Sequence, residues 1–537
     1  MTKSGWSHSI WIASVVCALF VALQAATLNY GTRINDLPYI RDYRITSDIV
    51  SRSSLNRDHL VGSGTRQTES LDVWMTRFKL YSIEADEILA VLALARIKPA
   101  ELKFDPGLYQ YGGAFLYPLG AWYFALKVAG LIQVSSLESL LEQPQLMDDI
   151  WIAGRALVLG GFLVSAVLLF MAVRKITSPL AAIALLVIFL FSPASIMFSQ
   201  IIKPHWLALV WTNGALLIAV NAFVRRELPF GREATLAIFV GLAVGSTLTF
   251  SLFAVFLWFA LAILVSRRAV SPVVLVRVPA IALAIFMLTN PYYVLNWTAF
   301  RAESVAAEGW FTPAIEPRTF LAFLRNSLLP GFGICFGILM LAVASWEIAR
   351  GTLERRLLAV AVLLPIAIIA ILTANLSTWT VNFRYIPYVL PIALVMLASW
   401  HFRYRDFALV LCAAATVIQS APLKLAYFDE NEPQRSTRLL AAAWIDSNIP
   451  ASASICMPIG TLAPYDVPPF RFDLHPINTH DCSWIVRVER DIRFVQQPPR
   501  HVLVQQFTPR WSPQSFPLVW GHINPQISIY RTAQPNG

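Results

Sequence analysis

Two adjacent carboxylates, Asp86 and Glu87, stand just ahead of the segment Phe104 to Gly120 (FDPGLYQYGGAFLYPLG), in a chain otherwise dominated by long apolar runs. Carboxylates are costly close to hydrocarbon and mark functional positions when they occur there. A positioned carboxylate can take the proton from a hydroxyl as that hydroxyl attacks an electrophilic carbon, and Asp86 is assigned that role. Glu87 then binds the attacking group, holds Asp86 in place or, where a divalent cation is present, helps to ligate it. The plainer alternative is that both acids cap the start of a helix.

Cationic and polar residues that can face an anionic group recur further along. Lys203-Pro204-His205 and Arg384-Tyr385 each sit at the edge of an apolar run, where basic side chains either meet a charged ligand or reach back to the membrane surface. His205, beside Trp206, is an interfacial residue or a ligand-binding one. Asn290-Pro291-Tyr292-Tyr293 closes another run, and Pro291 should end the helix there. Glu303, further on, is either a second acid near the site or, as the preferred reading, a surface residue of the following loop, and Trp310 and Phe311 are candidates for gating substrate entry. No His/Cys metal motif, phosphate-cradling glycine loop or nucleophile elbow occurs. His475, His480 and Asp481 are too irregularly spaced to assign a metal site.

The elements that must position these residues are membrane helices. Hydrophobic residues make up 57% of the 537 and charged ones 14%, against about a quarter charged in soluble domains. The net charge of +10 does not point to nucleic acid, because the basic residues fall in short clusters between apolar runs, as membrane orientation requires. The first run, Ile10 to Leu28, is read as an uncleaved helix rather than a signal peptide. Ten more follow: Ile152 to Val173, Leu180 to Phe198, Trp206 to Val224, Ala234 to Phe250, Leu252 to Val265, Val273 to Leu288, Leu328 to Ile348, Leu357 to Leu376, Ile386 to Trp400 and Phe407 to Ile418. That gives about eleven spans. Arg174/Lys175, Arg225/Arg226, Arg267/Arg268, Arg355/Arg356 and Arg403/Arg405 occupy every second connection, which places them on the cytoplasmic side with Lys3 and puts Asp86, Lys203 and Arg384 outside.

That register leaves Ala114 to Ile132 over. Its aromatic residues and its interruption by Pro118 read as an interfacial or re-entrant helix, the alternative being a span. The long first outer loop, 29–149, contains a short amphipathic helix over Ile88 to Ala95 stopped near Pro99, with Asp86 and Glu87 in its first turn. Beyond Pro422 the composition turns polar. Arg435 to Asn448 reads as a helix, and Ala453 to Cys456, Val502 to Gln505 and Ile527 to Arg531 as strands of a small α/β domain. Cys456 and Cys482 are the cysteines that share a polar region, and they can pair where the compartment is oxidising.

The order Asp86-Glu87, short helix, Asp105-Pro106, Tyr109, Gln110-Tyr111-Gly112-Gly113 and Tyr117-Pro118-Leu119 resembles the first outer loop of GT-C membrane glycosyltransferases, in the protein O-mannosyltransferase-like and aminoarabinose-transferase-like branch. The Tyr-Pro-Leu element here lacks the second proline, and the adjacent lysine or histidine, of many relatives. The resemblance implies an all-α polytopic bundle, 1–421, with a small extracytoplasmic domain, 422–537. It implies transfer of a sugar from a polyprenyl-phosphate donor to a lipid, glycan or protein acceptor, inverting, with Asp86 as base. Lys203 and Arg384 become the candidates for the donor phosphate, and His205, Tyr385, Tyr109, Tyr111, Tyr117 and Asn290 the other binding candidates. The expected setting is a bacterial inner membrane, with the active site and C-terminus on the periplasmic side. The competing class is a transporter or lipid flippase, which more often shows internal repeats and midplane charges.

Overall fold

The computed structural model describes residues 3–32, 34, 37–45, 71–84, 86–133, 136–308, 312–374, 382–458, 464–465, 467–478, 482–489, 501–511 and 523–532. Each apolar run read as a span contains helix among its described residues. Among the described residues, six helices are long and apolar enough to cross a membrane. A seventh crossing results if the bent pair Pro317–Phe332 and Ile334–Arg350 counts as one, and three shorter apolar helices accompany them. The protein is an integral multi-pass membrane protein, mostly helical among the described residues, with a small sheet near the C-terminus.

The chain divides into two compact units. The helical unit takes Met1–Ala25, Ala90–Trp122 and Gly154–Ala421. Lipid tails are as apolar as leucine, so helices in a membrane associate through close packing rather than through escape from water. Two devices provide that packing. Phe20 of α1 (Lys3–Ala25) lies 5.7 Å from Phe162 and 5.5 Å from Phe191, while Phe162 stacks on Phe189 at 4.8 Å. Between α2 (Phe230–Ser246) and α3 (Val274–Thr289), Gly241 and Gly245 form a small-residue stripe. A Cβ at Gly241 would lie 2.6 Å from the Ala282 carbonyl oxygen, and one at Gly245 2.6 Å from the Thr289 hydroxyl. The absence of side chains there lets the two backbones close.

Two local features depart from the sequence reading. The run Leu328 to Ile348 is not one helix, because the chain bends by 114° at Gly333, whose φ of +103° favours glycine. The amide of Ile334, which opens the second arm, donates to Gln419 Oε1 at 2.7 Å, satisfying a helix-start N–H that has no partner within its own helix. Pro118 does not interrupt its helix either; Gly113–Val128 continues through it. Pro118 is the sixth residue of that helix, and the backbone bond it forgoes is the one its missing N–H would have given to the Ala114 carbonyl.

The second unit, Ala26–Leu89, Tyr123–Ala153 and Pro422–Gly537, is mixed. Among the described residues its sheet has β1 (Ile455–Cys456), β2 (Ile477–Asn478), β3 (Trp484–Glu489), β4 (His501–Phe507) and β5 (Gln526–Thr532) in the order β2-β1-β3-β5-β4, with β1 parallel to β2 and β3. The pairings of β5 with β3 and with β4 are antiparallel. Cys456 and Cys482 form a disulfide beside β1. The buried Arg438 guanidinium donates to Glu430 at 2.9 Å and to the Tyr465 carbonyl at 3.0 Å. Phe472 packs against Trp74 and Phe78 of the segment Leu71–Leu80. From that same segment, the buried Lys79 ammonium donates to the carbonyls of Arg41, Tyr43 and Leu141 at 2.7–2.9 Å.

Candidate functional site

Within the helical unit, the segment Asp105 to Gly113 is fixed by side chains far away in sequence. The Asp105 carboxylate accepts from the Gly107 amide at 2.9 Å, the Tyr109 hydroxyl at 3.0 Å and Asn296 Nδ2 at 2.9 Å. Glu303 accepts from the amides of Tyr109 at 3.0 Å and Gln110 at 3.2 Å, while the Tyr293 hydroxyl donates to the Tyr109 carbonyl at 2.7 Å. Charged acceptors on backbone amides are among the stronger hydrogen bonds a fold can make.

The two residues after Tyr111, Gly112 and Gly113, are glycines for a steric reason. A Cβ at Gly112 would sit 1.9 Å from the Gly245 carbonyl oxygen, and one at Gly113 1.9 Å from the Thr289 carbonyl oxygen. Because no Cβ is there, the Gly112 amide reaches the Ser246 carbonyl and the Gly113 amide reaches Asn290 Oδ1, both at 2.9 Å. Asn290 ends α3 as its C-cap, and its Nδ2 donates onward to the Gly245 carbonyl at 3.2 Å.

This clasp positions Tyr111. Its ring meets His205 nearly perpendicularly, with centroids 6.5 Å apart, and His205 in turn meets Tyr385 at 6.3 Å. Arg384 Nη2 donates to the Tyr385 hydroxyl at 3.0 Å, and its guanidinium carbon lies 5.0 Å from the Tyr385 ring centroid. Tyr111, His205, Tyr385 and Arg384, assembled from three distant stretches of chain, therefore form one row. Tyr111 and His205 are buried in this row while Tyr385 and Arg384 at its other end are half-buried, so the part open to a ligand is an aromatic ring beside a cation, a combination suited to a ligand with an apolar sugar face and an anionic group.

His205 reaches the row because Pro204 opens the short helix Pro204–Leu207 and holds Lys203 extended before it. Lys203 Nζ lies 5.7 Å from the Phe198 ring centroid. Tyr109 is only 3% exposed; its hydroxyl and backbone are engaged with Asp105, Glu303 and Tyr293. The amide of Asn290 is likewise engaged with backbone on both sides. The Tyr117 hydroxyl donates to the Phe104 carbonyl at 3.3 Å.

Asp86 and Glu87 belong to the mixed unit. Glu87 is the first residue of the helix Glu87–Ala95 and Asp86 the residue before it, so both carboxylates occupy the first turn, where the helix dipole favours negative charge. Asp86 is half-buried and Glu87 fully buried. A third acid precedes them: Glu84, 3% exposed, sits in a tight turn whose amide and carbonyl both bond the Ser82 hydroxyl at 3.1 Å.

Glu303 is where the sequence misleads. Read as a surface residue, it is 7% exposed in the structure, on the helix Trp297–Glu308. Phe300 on the same face stacks on Tyr293 at 4.7 Å, and this aromatic-plus-acid spacing of three is the one sequence signal that could have placed Glu303 inward. Among the described residues no three His, Cys, Asp or Glu groups gather as a metal site. His480, Asp481, Trp310 and Phe311 lie outside the described residues.

No family model and no curated protein sequence matches the chain. Among solved structures, ArnT from Cupriavidus metallidurans in the apo state aligns with a TM-score of 0.38 and 12% identity, over 73% of this chain and 79% of that one. Arabinofuranosyltransferase AftD from Mycobacteria aligns with a TM-score of 0.34 and 16% identity, over 83% of this chain and 39% of AftD, so this chain spans well under half of that protein. At such scores the likeness carries no argument about function, which rests on the chain's own residues.

Proposed function

We propose that the protein is a membrane glycosyltransferase that moves a sugar from a polyprenyl-phosphate carrier to an acceptor hydroxyl at the outer membrane surface, with inversion. The observation that carries this reading is the row of Tyr111, His205, Tyr385 and Arg384. Its members come from the motif segment and from the ends of helices opposite the basic clusters, where a lipid carrier would present its head group.

In this reading Asp86 accepts the acceptor hydroxyl's proton as its oxygen attacks the anomeric carbon. The bond between that carbon and the carrier phosphate oxygen breaks, and the electron pair leaves with the phosphate. Arg384 and Lys203 stabilise the charge that grows there, while Tyr111 and Tyr385 hold the sugar. Glu87 keeps the acidic turn in place or contacts the acceptor. The oriented, C-terminus-out topology follows from the alternation of basic clusters.

The test is Asp86→Asn in membranes supplied with polyprenyl-phosphate sugars, together with mass analysis of envelope glycolipids and glycoproteins from cells with and without the protein. Loss of a specific sugar from one envelope component, reproduced by the variant at unchanged expression, is the expected result. An unchanged envelope, or full turnover by the variant, overturns the reading or the role of Asp86 respectively.

A further inference from the structure

At the opposite end of the helical unit from the tyrosine row lies a cavity of about 230 Å³ that the proposed chemistry does not use. Its wall is formed by Leu216 and Val220 of α4 (Leu209–Arg225) with Phe256 and Leu257 of α5 (Ser251–Ser266). Its polar rim carries Glu354 and Arg355, at the start of α6 (Leu353–Leu372), and His401, just beyond α7 (Val389–Ser399). Lys203 and His205 precede α4 and Arg384 and Tyr385 precede α7, whereas the cavity residues crowd the far ends of these helices. The 17 residues of α4 alone separate those ends by about 25 Å.

The surroundings specify the occupant. The walls are apolar side chains of helices that cross the membrane, so the molecules with free access to them are lipids. The acids of the neighbouring connections are already ion-paired: Glu227 with Arg225 and Arg232, Glu233 with Arg277, Glu347 with Arg355, Glu354 with Arg267, and Asp406 with Arg405. Lys175, Arg226, Arg268, Arg350, Arg356 and Arg403 add positive charge at this end beyond those pairs. Basic rims between membrane helices recognise anionic lipid head groups, and each basic residue near the surface contributes about 1 kcal/mol.

We propose that this end of the bundle binds a structural anionic phospholipid, one acyl chain seated among Leu216, Val220, Phe256 and Leu257 and the head-group phosphate held at Arg355 and His401. The Nδ1 atom of His401 is 2.7 Å from the Ser399 carbonyl, so Nδ1–H donates there and Nε2 is the atom turned to the rim. The bound chain fills space between α4, α5, α6 and α7, and thereby fixes the helices whose other ends carry the tyrosine row. The site is independent of the sugar-transfer reading.

The test is native mass spectrometry of the full-length, delipidated protein mixed with phosphatidylglycerol or with phosphatidylcholine of identical chains. Phosphatidylglycerol should stay bound through detergent release at least tenfold more than phosphatidylcholine. Ala219→Phe, which fills the cavity from α4, should abolish retention of both. Arg355→Gln combined with Glu347→Gln removes the ion pair as a unit, leaving no lone buried charge, and should erase the head-group preference. Equal retention of the two lipids by the wild-type protein, no retained lipid, or undiminished phosphatidylglycerol retention by the cavity-filled variant would each overturn the proposal.

Discussion

The Tyr111 ring stands at right angles to the His205 imidazole, with centroids 6.5 Å apart, because two glycines beside Tyr111 let its backbone touch the ends of α2 and α3. Edge-to-face aromatic contacts contribute about 0.5–1.5 kcal/mol beyond burial. Tyr111→Ala is therefore expected to weaken donor use by roughly three- to tenfold, and Tyr111→Phe to preserve most of it. Donor KM measured at saturating acceptor checks this; a Phe variant as impaired as the Ala variant would assign the role to the hydroxyl.

Arg384 is held to Tyr385 by both a hydrogen bond and a ring contact, so its guanidinium is oriented before any ligand arrives. Hydrogen bonds to charged groups contribute about 1.5–3 kcal/mol. Arg384→Ala should raise donor KM by at least about tenfold with little change in acceptor KM. An unchanged donor KM removes Arg384 from phosphate binding.

Glu303 reads in sequence as an ordinary surface acid, yet its carboxylate holds two successive amides of the motif segment. Glu303→Ala should lower the thermal midpoint of the purified protein and reduce transfer together, while Glu303→Gln, which retains an acceptor oxygen, should lose less of both. If the alanine variant leaves midpoint and activity unchanged, the carboxylate is not what fixes Tyr109 and Gln110.

Gly112→Ala places a methyl group 1.9 Å from the Gly245 carbonyl oxygen, a backbone atom that cannot swing aside as the end of a flexible side chain would. We expect the variant to be lost from the membrane or to elute as aggregate on size exclusion. Gly160→Ala, which meets nothing within 4 Å, should behave as wild type. A monodisperse, active Gly112→Ala protein would show that the clasp can open without cost.

Sequence alone determined the membrane class, the positions of the apolar helices, the Pro291 stop and the acidic first turn at Glu87. Each of these is a local property: a hydrophobic run long enough for a bilayer, a residue without an amide hydrogen, a carboxylate at a helix start. It also singled out Gln110-Tyr111-Gly112-Gly113, Lys203-Pro204-His205 and Arg384-Tyr385 as separate motifs.

Only the tertiary structure decided that Tyr111, His205 and Tyr385 form one row, that Glu303 is an internal anchor, and that Gly333 breaks a continuous apolar run by 114°. Those outcomes depend on which helix ends meet, and hydrophobic periodicity is indifferent to partner choice in a medium where every helix surface is already apolar. The choice was made by close backbone approach at a few glycines and by buried polar groups that had to find acceptors, neither of which a linear pattern records.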